Sequence, residues 1–272
     1  MVVTDPPYNV KVQGHVSGRG KTRHNEFAFA SGKISDEEFA AFLRESMNVM
    51  REHTVDGALH YVFMDWRHIE VLLAVGRKLE FALKNICVWN KTTPGQGSFY
   101  RSAHELVAVF AKPAAATTNN VQLGRFGRNR TNVWTYAGVN TSQSNNGGDL
   151  ALHPTVKPVA MIADAIKEAS KRGEIVFDPF LGSGTTLLAA EKVGRRCFGL
   201  EYEPKHIDTA IRRWQQMTGK DAILASRQTV LEESGGSIGY GLNRAAFGRS
   251  AQGHVLHPVS QVQNAVTHRS FR

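Results

Sequence analysis

Residues 175–201 constrain the fold more than any other stretch of this chain. Ile175-Val176-Phe177 is a short apolar run of the kind found in strands buried on both faces of a parallel sheet. Asp178-Pro179-Phe180-Leu181-Gly182-Ser183-Gly184-Thr185-Thr186 follows. Gly182 and Gly184, one residue apart, let the backbone turn sharply and approach a ligand closely. Leu187-Leu188-Ala189-Ala190, with Val193, then reads as a helix, and Gly194 suits its stop. Residues 195–200 lead as a strand to Glu201. The result is a βαβ unit with a glycine turn at its ligand edge, and an acid about 20 residues beyond that turn is placed to grip a ribose diol.

Two common nucleotide signatures are absent. Leu187 stands where the third glycine of a dinucleotide fingerprint would be, and no Gly-Lys-Ser/Thr follows to cradle a triphosphate. A cofactor with a ribose and no pyrophosphate fits better, and S-adenosylmethionine has that chemistry. An ordinary βαβ turn is the plainer alternative.

A second motif lies near the start. Val2-Val3-Thr4 reads as the end of a strand, and Asp5-Pro6-Pro7-Tyr8 follows. Asp5 can accept a hydrogen bond from an exocyclic amine. Pro6 has no N–H, so its carbonyl can face the same amine without a competing donor beside it. Tyr8 offers a flat face for stacking. Such a set holds a planar, amino-bearing base and leaves the nitrogen lone pair free to attack. Taken alone, the four residues fit a strand and a proline turn equally well.

Together, D-P-P-Y and D-P-F-x-G-x-G resemble the amino-methyltransferases that modify DNA bases at N6 of adenine or N4 of cytosine. The first motif precedes the glycine loop by about 170 residues, an order similar to the β class of that family. His153-Pro154-Thr155-Val156-Lys157-Pro158 is similar to the family's H-P-T-x-K-P segment. The resemblance covers roughly residues 1–220. It implies an α/β, Rossmann-like S-adenosylmethionine-dependent methyltransferase fold, circularly permuted, with a loop-rich target-recognition insertion. The expected division is a catalytic half at 1–111, the insertion at 112–150, a cofactor-binding half at 151–222 and a tail at 223–272. The implied catalytic residues are Asp5, Pro6, Pro7 and Tyr8. The implied cofactor residues are Asp178, Pro179, Phe180, Gly182, Ser183, Gly184, Thr185 and Glu201, with Lys157 and Pro158 along the same cleft. The scheme requires no metal. Asp in the first motif position is commoner with adenine in the family, so N6 of adenine is the expected target and N4 of cytosine the alternative. Double-stranded DNA, a homodimer, and a cognate restriction enzyme or none are the implied partners, in a bacterial or phage-encoded cytoplasmic setting.

Composition fits this reading. The 272 residues can bury one large α/β core. Cys87 and Cys197 are isolated in apolar runs, with neither disulfide nor metal spacing, which suits a reducing compartment. No apolar stretch reaches membrane-spanning length and no signal-peptide pattern opens the chain. The net charge of +9 is uneven: residues 112–135 hold Lys112, Arg125, Arg128 and Arg130 and no acid. Residues 9–33, with Lys11, His15, Arg19, Lys21, Arg23 and His24, read as a basic loop able to touch phosphates or close over an extruded base.

Between the motifs, residues 35–50 read as an amphipathic helix with a Ser35/Glu38 capping box and a buried stripe of Phe39, Phe42, Leu43, Met47 and Met50. Residues 59–64 read as a buried strand, 67–84 as a helix, 85–89 and 104–110 as strands. Asp65 and Trp66 either border the ligand pocket or cap and pack. Lys91 and Arg101 are candidate phosphate contacts, and Phe99 or Tyr100 a candidate stacking residue for an extruded base. Residues 112–150 show no helical or strand periodicity. Residues 204–217 read as a helix stopped by Gly219.

The first motif comes almost at once, whereas members of the resembled family carry another strand and a Gly-Asp segment before it. The motif strand is therefore expected either at the edge of the sheet, as a stub, or in a fragment. An unpaired parallel strand would expose backbone groups, and it raises a further alternative, an inactive DNA-binding remnant. Methylation of a small molecule or a protein amide is a third, opposed by the basic loops.

Overall fold

Val2 and Val3, adjacent in sequence, point into opposite cores, which places the first strand inside the sheet. The computed structural model describes residues 1–10, 32, 34–95, 99–138, 156–223 and 260–263. Strand β1 (Val2–Thr4) runs parallel to β2 (Leu59–Met64) on one side and to β6 (Ile175–Asp178) on the other. The Phe177 amide donates to the Met1 carbonyl at 3.0 Å. The expectation of an edge strand is thus corrected: β1 is central, and its backbone is paired on both sides.

The described strands form one eight-stranded sheet in the order β5-β3-β4-β2-β1-β6-β7-β8. Strand β7 (Arg196–Glu201) is parallel to β6. Strand β4 (His104–Ala111) is antiparallel to both β2 and β3 (Ala82–Asn90). Strand β5 (Val133–Thr135) lies parallel to β3, and β8 (Ser260–Gln263) lies antiparallel to β7.

Helices cover both faces. On one, helix α1 (Asp36–Glu52) and helix α2 (Ile69–Lys78) pack Phe39, Leu43, Met47, Met50, Leu72 and Val75 on Val2, Val62, Met64 and Phe110. Gly76 of α2 is forced by this packing, because a Cβ there would lie 2.6 Å from the Phe110 ring. On the other face, helix α3 (Val159–Ala169), helix α4 (Thr185–Lys192) and helix α5 (Pro204–Thr218) set Met161, Ile166, Leu187, Ala210 and Trp214 against Val3, Phe63, Val107 and Val176. Full burial of side chains of this size contributes about 1.5–3 kcal/mol each. The connection β1–α1–β2 runs one way along the sheet and β6–α4–β7 the other, on opposite faces. The carboxyl ends of β1 and β6 therefore flank the point where strand order reverses, the usual ligand crevice of an open α/β sheet.

Local signals explain most element ends. Ser35 and Glu38 form the full capping box at the start of α1, a device of about 1 kcal/mol. Of the expected stripe, Phe42 is half-buried and faces the glycine loop. Gly219 ends α5 in the left-handed conformation, with φ 66°. The helix expected over 67–84 stops at Lys78: Glu80 takes φ 58° and the Phe81 amide turns back to the Gly76 carbonyl. Residues 82–84 belong to β3 instead. That strand hides its period because Leu83, Lys84 and Asn85 are all exposed and a register shift falls between Leu83 and Asn85.

The described part of 112–150 is ordered by its contacts and does contain a strand, β5. The Asn120 side chain donates to the Lys167 and Ser170 carbonyls at the end of α3, and Arg130 pairs with Glu168 at 2.8 Å. Residues 113–132 thus run along the amino-terminal edge of the parallel strands, opposite the crevice. Residues 139–155 lie outside the described residues, as do 11–31 of the basic loop and all of the tail beyond 223 except β8. No helix of the described residues is long and apolar enough to cross a membrane.

Candidate active site

Both sequence motifs arrive at the crevice because each follows one of the two central strands. They are tied together at the strand ends: the Thr4 hydroxyl donates to Asp178 Oδ1 at 2.8 Å. Asp178 is 3 % exposed and binds only its own surroundings. Its Oδ1 also accepts from the Phe180 amide at 3.1 Å, and its Oδ2 accepts from the Thr186 hydroxyl at 2.6 Å. Burial pushes this carboxyl up to about 6 against those three donors. Asp178 is therefore the residue that joins β1, the glycine loop and α4.

The loop itself is shaped by backbone conformation and by a carboxylate. Gly184 has φ 86°, and a Cβ there would lie 2.6 Å from Ala210 Cβ. Gly182 has φ 54° and donates its amide to Glu201 Oε2 at 2.7 Å. Glu201, at the end of β7, also accepts from the Glu203 amide through Oε1 at 2.9 Å, with His206 Nδ1 3.6 Å away. Burial works against its charge, but the His206 and backbone donors outweigh it and hold Glu201 below its ordinary value. Each carboxylate oxygen keeps a second lone pair, so the acid is oriented and still able to accept. Ser183 is buried, and the Arg213 guanidinium of α5 bonds its carbonyl at 2.8 Å and its hydroxyl at 3.1 Å. Phe180 packs edge-on to Phe42 at 5.7 Å. Pro179 continues the turn, and Thr185 is the first, buried residue of α4.

Across the crevice, Asp5 does not stand alone. Its Oδ1 accepts from the Tyr8 hydroxyl and its Oδ2 from Lys157 Nζ. Lys157 also lies 3.1 Å from Glu105 Oε2, and Glu105 Oε1 accepts from Lys91 Nζ at 2.5 Å. Two acids and two ammoniums thus balance in one buried cluster, with the Lys157 ammonium 5.6 Å from the centroid of the Tyr8 ring and 5.3 Å from that of Phe63. Burial raises the Asp5 carboxyl above its ordinary value against the pull of Lys157. Burial also opposes the charge of Glu105, but Lys157 and Lys91 outweigh it and hold this acid at about 2. Burial likewise opposes the Lys157 ammonium, and Asp5 and Glu105 more than restore it. Pro6 is buried and Pro7 half-buried beside this cluster.

The structure therefore brings Asp5, Pro6, Pro7 and Tyr8 to one wall and residues 178–185 with Glu201 to the other. Lys157 lies against Asp5 rather than against the glycine loop, and Pro158 serves as the N-cap of α3. His153, Pro154 and Thr155 lie outside the described residues. Glu105 escaped sequence reasoning; its one signal is a lone acid just ahead of the apolar run 106–111, opposite Trp89 in register. Lys91 is committed to Glu105, and Arg101 donates to the Pro94 and Gly95 carbonyls, so both anchor the β3–β4 connection. Phe99 and Tyr100 stand at its tip, 86 % and 82 % exposed, edge-to-face at 4.6 Å. Asp65 accepts from the His68 amide and ring just before α2, while Trp66 is exposed under the Arg67 guanidinium. The surface hollow lined by Asn120, Asp164, Lys167 and Glu168 shares no residue with the crevice.

Comparison with known proteins agrees with this geometry. A family model described as DNA methylase matches residues 1–212. Type II methyltransferase M.HinfI of Haemophilus influenzae is 27% identical over 235 residues, covering 80% of this chain and 63% of that protein. Type II methyltransferase M.HpaI of Haemophilus parainfluenzae is 26% identical over 242 residues, covering 82% and 70%. The chain thus spans less than two thirds of the length of the first of these relatives. Among solved structures, an M1.HpyAVI–SAM complex superposes with a TM-score of 0.52 at 22% identity, covering 78% of this chain and 87% of that one. A DNA modification methylase from Thermus thermophilus, described as putative and complexed with S-adenosyl-L-methionine, gives 0.54 at 22% identity over 80% and 88%. PvuII DNA methyltransferase, described as cytosine-N4-specific, gives 0.61 at 16% identity over 78% and 78%. The architecture is the Rossmann-like fold of these methyltransferases, here with the D-P-P-Y strand ahead of the glycine-loop strand.

Proposed function

Because the chain belongs to the DNA methylase family, we propose that it transfers a methyl group from S-adenosylmethionine to the exocyclic amine of a base in DNA, with N6 of adenine as the target. The observation that carries the proposal is the Thr4–Asp178 bond at the switch point. It ties the D-P-P-Y motif to the glycine loop at one crevice, which supports reading the first as the amine holder and the second as the ribose holder.

The residues present suit the cofactor. Gly182 and Gly184 leave a loop surface without side chains, and Gly184 has no room for one. Glu201 is held by two backbone amides with lone pairs to spare for a ribose diol. Residues 178–185 would line the methionine part, with Asp178 acting from behind through Phe180 and Thr186. When bound, S-adenosylmethionine supplies an activated methyl carbon on a sulfonium.

The chain's part in the chemistry is chiefly positioning. Extrusion of the base brings its amine to Asp5. The Asp5 carboxylate and the Pro6 carbonyl accept the amine hydrogens, and Tyr8 stacks on the ring. These contacts aim the nitrogen lone pair at the methyl carbon, and orientation of this kind is worth several kcal/mol of barrier. The amine must shed one proton during or after transfer. Asp5, raised by burial, is suited to receive it. N4 of cytosine is the second reading, since the same contacts hold either amine; Asp in the first motif position favours adenine by resemblance.

The test is the product. DNA from a methylation-deficient host that expresses the protein is digested to nucleosides and analysed by mass. N6-methyladenine supports the main reading, N4-methylcytosine replaces it with the second, and neither modification defeats both.

A further inference from the structure

Glu105 belongs to no motif, yet three side chains of the crevice bond to it. Its Oε1 takes Lys91, and its Oε2 lies 3.1 Å from Lys157 Nζ and 3.2 Å from the Tyr8 hydroxyl. That hydroxyl donates to Asp5 Oδ1. Tyr8 has one proton to give and two carboxylate oxygens within reach. The two ammoniums balance the two acids in charge, so the neutral Tyr8 hydroxyl can change partner without upsetting that balance.

The choice matters for the target base. With the hydroxyl on Oδ1 and Lys157 on Oδ2, each Asp5 oxygen already holds one donor and keeps one lone pair, so release of the hydroxyl frees both lone pairs of Oδ1 for the amine. The Asp5 side chain is 23% exposed, so an amine can reach it, but an N–H needs a lone pair aimed at the crevice. If the hydroxyl simply left, a buried O–H would lose its partner, at a cost comparable to the bond the base gains. Glu105 Oε2 removes that cost, because it already lies 3.2 Å from the hydroxyl oxygen and can take the hydrogen bond once the O–H turns toward it.

We propose that Glu105 is a positioning residue, the second acceptor to which the Tyr8 hydroxyl moves when the target amine takes its place on Asp5 Oδ1. The assignment rests on the reading of Asp5 as the residue that holds the amine. Glu105 suits the task because it stays an anion under conditions where Asp5 does not: two ammoniums hold it at about 2. No covalent step is involved; one hydrogen bond is exchanged for another.

A double-mutant cycle tests it. Glu105→Gln keeps the shape and loses the anion, and the one remaining oxygen is claimed by the ammoniums. Tyr8→Phe removes the hydroxyl that needs the second seat. Steady-state transfer of labelled methyl to DNA from a methylation-deficient host is measured for all four proteins. E105Q alone lowers kcat/KM about tenfold or more, the loss expected for one hydrogen bond to a charged acceptor. Added to Y8F, E105Q costs no more than about twofold. An equal loss in both backgrounds, or no loss in either, overturns the proposal; the first would leave Glu105 acting only through Lys157.

A second readout needs no turnover, and so separates this proposal from the reaction assigned above. The groups facing Asp5 are Tyr8, Lys157 and Glu105, with Asp178 across the strand ends. Acidification protonates Asp5 before Glu105. The 13C-ζ signal of Tyr8, assigned by its loss in Y8F, then moves to a Glu105-bonded position in the wild-type protein. In E105Q it has no such position, and its acid end point differs. Identical titrations in the two proteins overturn the proposal even where wild-type transfer is absent.

Discussion

Asp178→Asn separates the structural work of that carboxyl from its charge. In the folded protein Asp178 titrates at about 6, against an ordinary value of 3.8, chiefly because it is buried. Between pH ~4 and ~6 the folded state therefore binds more protons than the unfolded state. Its contribution to stability is complete below pH ~4 and is lost as pH rises through ~6. A shift of about two pH units corresponds to about 3 kcal/mol. An asparagine resembles the protonated acid: it still accepts from the Phe180 amide, and the Thr4 and Thr186 hydroxyls can turn to suit its amide. The variant should match the wild type near pH ~3.5 and exceed it near pH ~8 by up to about 3 kcal/mol, or roughly 6–12 °C in Tm for a chain of this size. Thermal unfolding of both proteins at the two pH values measures the difference and cancels every other titrating group. A gap that is the same at both values would refute the reasoning, because Asp178 would then ionise alike in the folded and unfolded states.

Two further outcomes follow from the same wall. Glu201→Ala removes the acceptor of the Gly182 and Glu203 amides and should weaken S-adenosylmethionine binding about 10–100-fold; unchanged affinity by calorimetry would take Glu201 out of the ribose site. Gly184→Ala forces a side chain into φ 86° and into Ala210 at 2.6 Å, and should destabilise the protein by about 2–5 kcal/mol. A Tm within a degree of the wild type would mean that the loop sits differently from this description.

How far the sequence could be read depended on how local each signal was. The residues 175–201 unit and the capping box at Ser35 are contiguous patterns, and the structure repeats both. Asp5 and the glycine loop are also local motifs, and their placement on adjacent central strands follows from the strand order. The ionic cluster is another matter. Asp5, Lys91, Glu105 and Lys157 are brought together by β1, β3, β4 and the segment before α3, and no spacing along the chain announces that meeting. Lys157 was legible as a motif residue but not as the partner of Asp5. Lys91 and Arg101 looked available to phosphates because their acceptors, Glu105 and two loop carbonyls, are not visible in one dimension. The central place of β1 was missed for a related reason: counting strands before a motif assumes that neighbours in the sheet are neighbours in sequence, whereas β6 comes more than 170 residues later.

The most direct test compares wild-type protein with Asp5→Ala. Transfer of labelled methyl from S-adenosylmethionine to unmethylated DNA and equilibrium binding of the cofactor are measured on the same preparations. The expected result is transfer by the wild type, its loss by at least about a hundredfold in D5A, and cofactor affinity in D5A within a few-fold of wild type. Transfer at the wild-type rate by D5A, or wild-type protein that binds the cofactor and labels no DNA, would contradict the proposed reaction.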